Sequence, residues 1–515
     1  MNAATIVRGE KMSMTLQSIK MRGSYPVDSI IDFHLEAKVN QHAFVRYKGI
    51  ISEKFALAAI ERQTQGAVVI ESVSAEIDTI FKGYPSQVKV TEKNGLFYLE
   101  VLCVSYTYFL DIKGNSRTFQ DTDETYAEIL ETVYDCADNA SIITTAGTKK
   151  SITAPIFQYE ETDWQFTLRM AGRVGTVAVP NIKVDFPQVC YGVPKRRSNP
   201  QDLLGVVYEV GRNSCRCLNR KEWYLDATHD DFYYYTIKDV GQYDLGDTVV
   251  IDGKPLVVME KKMRLEDGLI KSDYIFGRER GFAAPFIHNG DLHGLSLIGT
   301  VLDTTTEQIK LHFDIDDEQD KETAYWFPYV PQQGNVMYCM PQTGTKAVLK
   351  FRGECDDSGV IIHTYRTNGA ECEEMSDYNK RYFTTEFGKR LAMLPDTLFC
   401  TGGSNLAELD DKKGASFETG KKVRIHANKN IRIRSKRKVN IDTPEHIYMT
   451  MPGTTSVIDM AGGEINALSE NTVVHSTAIN EQPYPAYDAM SSMRMARKLA
   501  LMVAGTVAVE TTTRK

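Results

Sequence analysis

Secretion and membrane signals are the first things this sequence lacks. Residues 1–30 carry scattered charged side chains and no apolar signal core. No run of about 18 apolar residues, the length that spans a bilayer, occurs in the chain. We therefore expect neither a signal peptide nor a transmembrane helix. The protein is expected to be cytoplasmic in the cell that makes it and to leave that cell, if it does, by another route.

Paired cysteines are also missing. The nine cysteines are an odd number, and only Cys215 and Cys217 lie close together in sequence. A zinc site built from cysteine pairs needs a second pair, which the sequence does not offer. This cysteine usage predicts reduced thiols and no disulfide framework.

Catalytic signatures and an excess of positive charge are absent as well. The chain contains no His-Glu-x-x-His, P-loop or Gly-x-Ser-x-Gly motif. Neighbouring carboxylates such as Asp230 and Asp231 are common in a chain with 68 acidic residues and indicate no chemistry without geometry. A net charge of −8 argues against a chain-wide nucleic-acid binder. We therefore predict no enzymatic activity, no cofactor and no nucleic-acid partner.

What the sequence does contain is an eight-residue repeat over residues 405–476. Nine positions spaced eight apart are all apolar although only 42% of the chain is apolar, which one register does by chance roughly four times in ten thousand. Polar three-residue turns such as 428–430 separate the octads. Each octad is predicted to be a short strand with alternating faces, followed by a turn. The predicted core positions of the repeat are Leu409, Phe417, Ile425, Ile433, Ile441, Met449, Val457, Ile465 and Val473.

One short strand cannot bury its inner face, so the octads are expected to stack and wrap into a prism. Either three octads of one chain make each coil of a solenoid, or three chains each contribute one side. The first arrangement gives only about three coils with two exposed ends, whereas three intertwined chains give a long needle with few free edges. We favour the homotrimer. The alternative is a single-chain β-solenoid that binds or acts on polysaccharide.

The chain as a whole is predicted to be mainly β and to divide into several domains. We expect β-barrel-type domains with a helical insertion, an OB-fold barrel, a trimeric octad-repeat β-helix and a short C-terminal helix. The predicted boundaries are 1–120 for a first β-domain, 121–186 for the helical insertion, 187–290 for a second β-domain, 291–368 for the OB barrel, 369–404 for a linker leading into the repeat, 405–480 for the octad β-helix and 481–515 for a tail with a helix at 489–504.

Local signals place several elements inside these domains. Asn94-Gly95 and Asp252-Gly253 are typical of two-residue hairpin turns between strands. Helices are predicted over 121–137, capped by Asp121 or Thr122, and over 162–174, capped by Thr162 or Asp163. The OB barrel is predicted to have strands at 296–302, 308–313, 324–330, 335–340, 347–352 and 359–363. Its acidic 314–320 loop argues against oligonucleotide binding.

The order of these parts resembles the VgrG family, the hub and spike proteins of type VI secretion and of contractile phage tails. Three local segments carry the resemblance: 116–120 (SRTFQ), 157–169 (FQYEETDWQFTLR) and 340–351 (MPQTGTKAVLKF), the last followed by 359–364 where the family ends its barrel. The resemblance covers roughly residues 30–480. The barrel motif is looser than in typical members, and 481–515 match nothing known, which leaves open the type of contractile system.

The resemblance implies a homotrimeric central hub and spike at the tip of a contractile injection apparatus. Each chain of such a trimer presents two tube-like domains, which together form a pseudo-sixfold surface for the inner tube. The implied partners are the inner tube protein, baseplate components, a tip protein or effector at the C-terminal tail, and the envelope of the target cell. Export by contraction would replace a signal peptide.

Two further sets of residues are singled out in the repeat. Residues 421–438 hold nine basic side chains and no acidic one, and strand alternation points Arg424, Arg432, Arg434, Lys436 and Lys438 outward as a basic collar. His475 falls in an inward-facing column, where three copies would bring three imidazoles to the axis, enough to hold a transition metal with waters. His426 and His446 are expected to point outward, without a role.

Overall fold

The computed structural model describes residues 6–8, 14–61, 66–73, 77–195, 201–204, 206–221, 227–238, 241–331, 339–365, 367, 372–462 and 464–469. These residues form a mainly β protein. They separate into two compact units, Met1–Met375 and Ser376–Lys515. The predicted mainly β, multidomain class is therefore confirmed.

Strands follow one another through both units. The strands of the first unit are β1 (Ile6–Arg8), β2 (Met14–Thr15), β3 (Ile19–Gly23), β4 (Ser29–Lys38), β5 (Phe44–Ile51), β6 (Val68–Val73), β7 (Ile77–Lys93), β8 (Leu96–Ser105), β9 (Gly114–Phe119), β10 (Ser141–Thr144), β11 (Ile156–Thr162), β12 (Ala178–Pro180), β13 (Gln188–Tyr191), β14 (Gln201–Leu204), β15 (Tyr208–Arg212), β16 (Tyr233–Lys238), β17 (Thr248–Ile251), β18 (Lys254–Glu266), β19 (Leu269–Gly277), β20 (Ser296–Thr305), β21 (Gln308–Phe313), β22 (Trp326–Pro328), β23 (Lys346–Phe351) and β24 (Gly359–Tyr365). Those of the second unit are β25 (Arg381–Thr384), β26 (Lys389–Met393), β27 (Thr397–Gly402), β28 (Asn405–Asp410), β29 (Gly414–Thr419), β30 (His446–Thr450), β31 (Val457–Ala461) and β32 (Glu464–Leu468). The α-helices are α1 (Glu53–Glu61), α2 (Tyr126–Asp135), α3 (Asp163–Val174), α4 (Ser214–Lys221) and α5 (Glu279–Phe282).

One 14-stranded sheet takes strands from both sides of the helical insertion. The two groups of strands meet where β4 pairs antiparallel with β18, from Lys38 opposite Glu260 to His34 opposite Arg264. Alternate side chains of β4 are buried, as expected of a strand with one face on a core. The buried residues of both groups form one continuous apolar cluster. The residues assigned to two β-domains thus share a sheet and a core, which we call the hub sheet.

Both predicted hairpin turns of the hub sheet are confirmed. Asn94 and Gly95 connect β7 to β8, and Asp252 and Gly253 connect β17 to β18. All four residues have positive φ, between 50° and 76°. This left-handed backbone suits asparagine, aspartate and glycine and matches the twist of paired strands.

The helical insertion contains α2 and α3 beside short strands. Thr162 caps α3 in a capping box with Gln165, as predicted. The predicted caps of α2 were wrong: α2 starts later, and Thr125 caps it in a box with Glu128. The Asp121 carboxylate instead accepts a hydrogen bond from the Asp123 backbone, which holds a turn before the helix. The reciprocal Thr125–Glu128 bonds satisfy two backbone donors, an advantage that Asp121 and Thr122 lack.

A closed five-stranded barrel follows the hub sheet. Its strand order is β22-β21-β20-β23-β24, and a parallel bridge from Tyr329 to Ile361 joins the two outer strands. A three-stranded meander whose first strand pairs with the fourth, and whose third meets the fifth in parallel, is the OB-fold arrangement. Five predicted strands are therefore confirmed, with β22 shorter than expected. The strand predicted at 335–340 falls largely on 332–338, outside the described residues.

The second unit carries two antiparallel meanders, β25–β29 and β30–β32. The octads around Leu409, Phe417, Met449, Val457 and Ile465 are strands. In the single chain these octads pair with their sequence neighbours as hairpins, which the short turns allow. The stacked coils of a one-chain solenoid would pair in parallel, whereas all described strand pairs of the repeat are antiparallel. Residues 420–445 contain no strand. The predicted tail helix lies outside the described residues.

Candidate functional site

The first candidate site is a buried polar joint where the insertion meets the barrel. Two of the segments that carry the family resemblance supply it: 116–120 covers the end of β9 and the residue after it, and 157–169 runs through β11 into α3. β9 and β11 pair antiparallel, with a register shift between Gln158 and Glu161. Glu160 takes a left-handed conformation at this bulge, with φ of 47°. The bulge lets Gln158 and Glu161 both point inward, although regular alternation would place them on opposite faces.

Asp163 opens α3 and gathers the polar side chains of the two segments. Its Oδ1 accepts hydrogen bonds from Arg117 Nη2 at 2.7 Å, Gln158 Nε2 at 2.9 Å and Asn115 Nδ2 at 3.0 Å. A carboxylate in the first turn also interacts favourably with the helix dipole. These contacts fix the start of α3 against the β9–β11 hairpin.

Arg169, one of the largest fully buried side chains, forms the centre of the joint. Its Nε and Nη2 donate to the Glu161 carboxylate at 2.8–3.1 Å, and its Nη1 lies 3.1 Å from Asp356 Oδ2. Arg173, one helical turn later, also pairs with Asp356. Asp356 belongs to the barrel, in the loop between β23 and β24. Two guanidinium groups and two carboxylates therefore form a neutral buried cluster that bridges the insertion and the barrel.

The environment moves the two carboxyl pKa values in opposite directions. Burial raises the pKa of Asp356, but the guanidinium groups of Arg169 and Arg173 outweigh it and leave the pKa below the ordinary value. Burial raises the pKa of Glu161, and Arg169 offsets this only in part. Asp356 is thus the carboxylate whose charge the joint stabilises most.

Further contacts seat the same hairpin on the barrel. Thr118 donates from its backbone N to Asp316 Oδ1 at 2.7 Å and from its Oγ1 to Asp316 Oδ2 at 2.5 Å. Gln120 donates to the Leu311 carbonyl at 3.0 Å and accepts from the Tyr325 backbone at 3.1 Å. Phe157 inserts its ring into the apolar core of the barrel and packs edge-on against Phe351, with ring centroids 4.8 Å apart. Asp316 of the acidic loop therefore has a structural role in this joint.

The second candidate site is the apolar column of the octad repeat. Seven of the nine predicted core positions have 44–73% of their surface exposed within their own chain. Val457 is buried, and Val473 lies outside the described residues. The β25–β29 meander adds exposed apolar side chains on the face that Leu409 and Phe417 share, since strand pairing aligns Leu398 with Leu409 and Met393 with Leu398. Soluble monomers rarely leave so regular an apolar stripe in water, and such stripes mark interaction surfaces.

The remaining predicted site residues are exposed or undescribed. Arg424, Arg432, Arg434, Lys436 and Lys438 of the basic collar are all exposed. His475 lies outside the described residues. His446 has a contact that the sequence did not suggest: its Nδ1 is 2.8 Å from Oδ1 of the buried Asp459. Cys217 is buried with its Sγ 3.4 Å from His229 Nδ1. In the described part of the chain, no group of three metal-ligating side chains comes together.

Sequence reasoning missed the joint as a site. It treated 162–174 as a core helix and assigned no role to Glu161, Arg169 or Asp356. One signal was present: Arg169 lies on a helix surface lined by Phe166 and Met170, where an arginine needs a buried counter-charge. The position of that counter-charge, 187 residues along the chain, had no signal of its own.

The fold defines a mainly β multidomain protein with a hub sheet, a helical insertion, an OB-type barrel and a repeat with an exposed apolar column. The structure is similar to the E. coli c3393 protein, a component of the type VI secretion system described as similar to T4 bacteriophage tail proteins gp27 and gp5, at 12% identity over 68% of this chain and 99% of that one, with a TM-score of 0.48. It is also similar to a chain of the half-lidded Francisella PdpA–VgrG complex, at 9% identity over 78% of this chain and 87% of that one, with a TM-score of 0.49. A prophage MuSo2 43 kDa tail protein from Shewanella oneidensis matches at 9% identity, 52% and 98% coverage and a TM-score of 0.40.

No protein-family model and no curated protein matches the chain. Within the described residues, no helix is long and apolar enough to cross a membrane.

Proposed function

We propose that this chain is the homotrimeric hub and spike at the tip of a contractile injection apparatus, where it connects the inner tube to a membrane-piercing needle. The observation that carries the proposal is the exposed apolar column of the octad repeat. Its members recur every eight residues and are mostly uncovered by their own chain. Burying a large apolar side chain is worth about 1.5–3 kcal/mol, so seven exposed positions provide a strong drive for association.

Two further copies of the same chain are the partner that fits this column. In parallel copies of one chain, apolar positions that recur every eight residues lie in register with each other, and a different protein would need the same spacing to match them. Three chains also provide the three sides that a prism needs, and intertwining them leaves few free strand edges. The mechanism is mechanical rather than catalytic: a stiff needle concentrates the force of contraction on a small area.

The polar joint supports the same function from the other end of the chain. A spike that transmits force needs its barrel fixed rigidly to its hub. The Arg169–Asp356 cluster, the Thr118–Asp316 pair and the Phe157 insertion supply three kinds of contact between the insertion and the barrel. We further propose that the hub sheet contacts the inner tube and baseplate, that the tail receives a tip protein or effector, and that the particle is assembled inside the producing cell.

The solution mass of the full chain tests the proposal. Light scattering of the purified protein is expected to give three times 58.0 kDa, and the trimer should persist on dilution. The substitutions Ile425→Asp and Ile433→Asp, both at exposed column positions, should abolish the trimer because each places three carboxylates in one apolar layer.

A matched control keeps this test specific. Leu57→Asp and Ile60→Asp replace two exposed apolar side chains of α1 in the hub and should leave the trimer intact. A wild-type monomer that refolds to the same state would contradict the proposal. That result would favour the single-chain solenoid acting on polysaccharide, a reading that the basic rather than acidic or aromatic surface of 421–438 does not support.

A further inference from the structure

Residues 421–438 form a charged surface of a single sign within the described part of the second unit. The segment contains nine lysine and arginine side chains and no aspartate or glutamate. All nine are exposed. Among the described residues, no ion pair involves any of them, whereas Lys412 just before the segment pairs with Asp396. The chain carries a net charge of −8, so this positive surface is a local feature and not a consequence of overall composition.

Within the segment, charge and apolar character alternate. Six of the nine cations, Lys422 and the five residues of the basic collar, hold even-numbered positions, whereas Val423, Ile425, Ile431 and Ile433 hold odd-numbered ones. The other three cations, Lys421, Lys429 and Arg437, are odd-numbered as well. In an extended chain the even-numbered and odd-numbered sets lie on opposite faces. Once the apolar set is covered by assembly, which rests on the proposed function, the collar cations of every copy face outward around one level of the needle.

We propose that the basic collar binds the phosphate headgroups of an anionic lipid bilayer. Charge complementarity identifies the partner, because unneutralised lysine and arginine side chains close to an anionic surface are attracted to it. Arginine adds paired hydrogen bonds to phosphate oxygens. A ring of cations on a needle meets a bilayer from all sides, so every copy of the chain contributes.

A nucleic acid offers phosphates as well, but this segment lacks the residues that would bind its bases. Proteins that hold single strands stack bases on aromatic side chains, and 421–438 contain no phenylalanine, tyrosine or tryptophan. In the proposed trimer, the regularly spaced isoleucines and valines are covered by the other copies, which leaves the collar on the outer face. A lipid surface therefore fits this segment better than a nucleic acid does.

Co-sedimentation of the full-length protein with vesicles tests the proposal. Binding is expected to vesicles of mixed phosphatidylcholine and phosphatidylglycerol, to be absent with phosphatidylcholine alone and to weaken as salt is raised. Each basic side chain at an anionic surface contributes about fivefold to binding. The double substitution Arg432→Glu and Arg434→Glu should therefore weaken binding by at least about 30-fold.

Lys93→Glu and Lys149→Glu provide a control with the same change in net charge at two exposed positions of the first unit. This variant should bind as the wild type does. Equal losses in both variants, or equal wild-type binding to neutral and anionic vesicles, would overturn the proposal. Full competition by millimolar inorganic phosphate would also overturn it, because it would show a free-phosphate site. If the protein binds a single-stranded DNA oligonucleotide more tightly than anionic vesicles, and Arg432→Glu with Arg434→Glu abolishes that binding, the partner of the collar is a nucleic acid and the lipid proposal is wrong.

Light scattering of each variant separates this inference from the proposed function. A wild-type trimer that does not bind anionic vesicles would contradict the lipid-binding proposal alone. A wild-type monomer would contradict the proposed function. If Arg432→Glu and Arg434→Glu disturb the trimer, Lys436→Gln and Lys438→Gln, which remove charge without reversing it, decide the outcome by the same measurement.

Discussion

Removal of the Asp356 carboxylate should be the most damaging single change in the polar joint. Asp356→Ala deletes the acceptor of the Phe157 backbone N–H, at 2.7 Å, and the partner of both Arg169 and Arg173. Two guanidinium groups would then share one buried carboxylate, that of Glu161. The site cannot easily admit water, since the Arg169 side chain has no exposed surface and that of Arg173 is 14% exposed.

The magnitude follows from this imbalance. Breaking a buried ion pair by removing one partner costs about 3–5 kcal/mol, because the remaining charge stays buried without compensation. The free energy of unfolding of the first unit should therefore fall by about that amount. Asp356→Asn should cost less than Asp356→Ala, because its amide oxygen can still accept from the Phe157 backbone. Asp317→Ala, an exposed neighbour of the joint residue Asp316, should stay within about 0.5 kcal/mol of the wild type.

Urea unfolding followed by tryptophan fluorescence measures these differences. Trp164 is buried in α3 beside the joint and packs against His42 with ring centroids 4.3 Å apart and ring planes tilted by 35°, so its emission reports loss of the insertion. An Asp356→Ala variant as stable as Asp317→Ala would refute the claim that this cluster holds the barrel to the insertion.

Two other predictions follow from the same unit. The pKa of Asp356 is lower in the folded than in the unfolded protein, so its negative charge stabilises the fold above the ordinary aspartate pKa, and this stabilisation is lost as the pH falls through the folded pKa. The difference in unfolding free energy between wild type and Asp356→Asn should therefore shrink on acidification below about pH 4, as measured by urea unfolding at each pH. A difference that does not change with pH would contradict this prediction. Gly172→Ala should destabilise the protein although alanine favours helices, because a Cβ on this α3 residue would lie 2.1 Å from the Pro285 carbonyl oxygen. An unchanged or raised urea midpoint would contradict this prediction, because it would mean that the Pro285 backbone shifts without energetic cost.

Local chemistry made much of the first unit predictable. Asn94-Gly95 specifies its hairpin because few other residue pairs adopt positive φ twice in succession. Thr162 specifies the start of α3 because its hydroxyl accepts a hydrogen bond from the Gln165 backbone N–H, and the Gln165 side chain accepts one from the Thr162 backbone N–H. These signals act over two to four residues, which is the range that a single sequence can reveal. The start of α2 was wrong for the same reason, since Asp121, Thr122 and Thr125 are candidate caps within five residues, and both Asp121 and Thr125 have a glutamate three positions later. The structure selects Thr125, whose reciprocal bonds with Glu128 form the capping box.

The joint could not be predicted because its determinants are long-range. Arg169 and Asp356 meet only after the barrel has folded next to the insertion, and the bulge at Glu160, which turns Glu161 inward, runs against the ordinary preference of a glutamate for negative φ. The octad column shows a different limit. Periodicity selected nine positions as a buried core, but within the described part of a single chain seven of them are exposed and Val457 alone is buried. Their burial in an assembly stays a prediction.

The chemistry of the joint also suits a part that carries load under the proposed function. The hub sheet, the insertion and the barrel each have an apolar cluster, and the hydrophobic effect that stabilises such clusters is non-directional. Polar contacts are directional and therefore favour one relative position. The Asn40 side chain bonds the backbones of Ala178 and Phe282 at 2.8 Å, which connects the hub to the insertion, and Arg169 with Asp356 connects the insertion to the barrel. Replacing the buried charges by apolar side chains can leave stability unchanged, so stability alone does not explain an ion cluster at this position. Fixing one relative position of insertion and barrel does explain it, because a guanidinium fork held by two carboxylates tolerates little displacement.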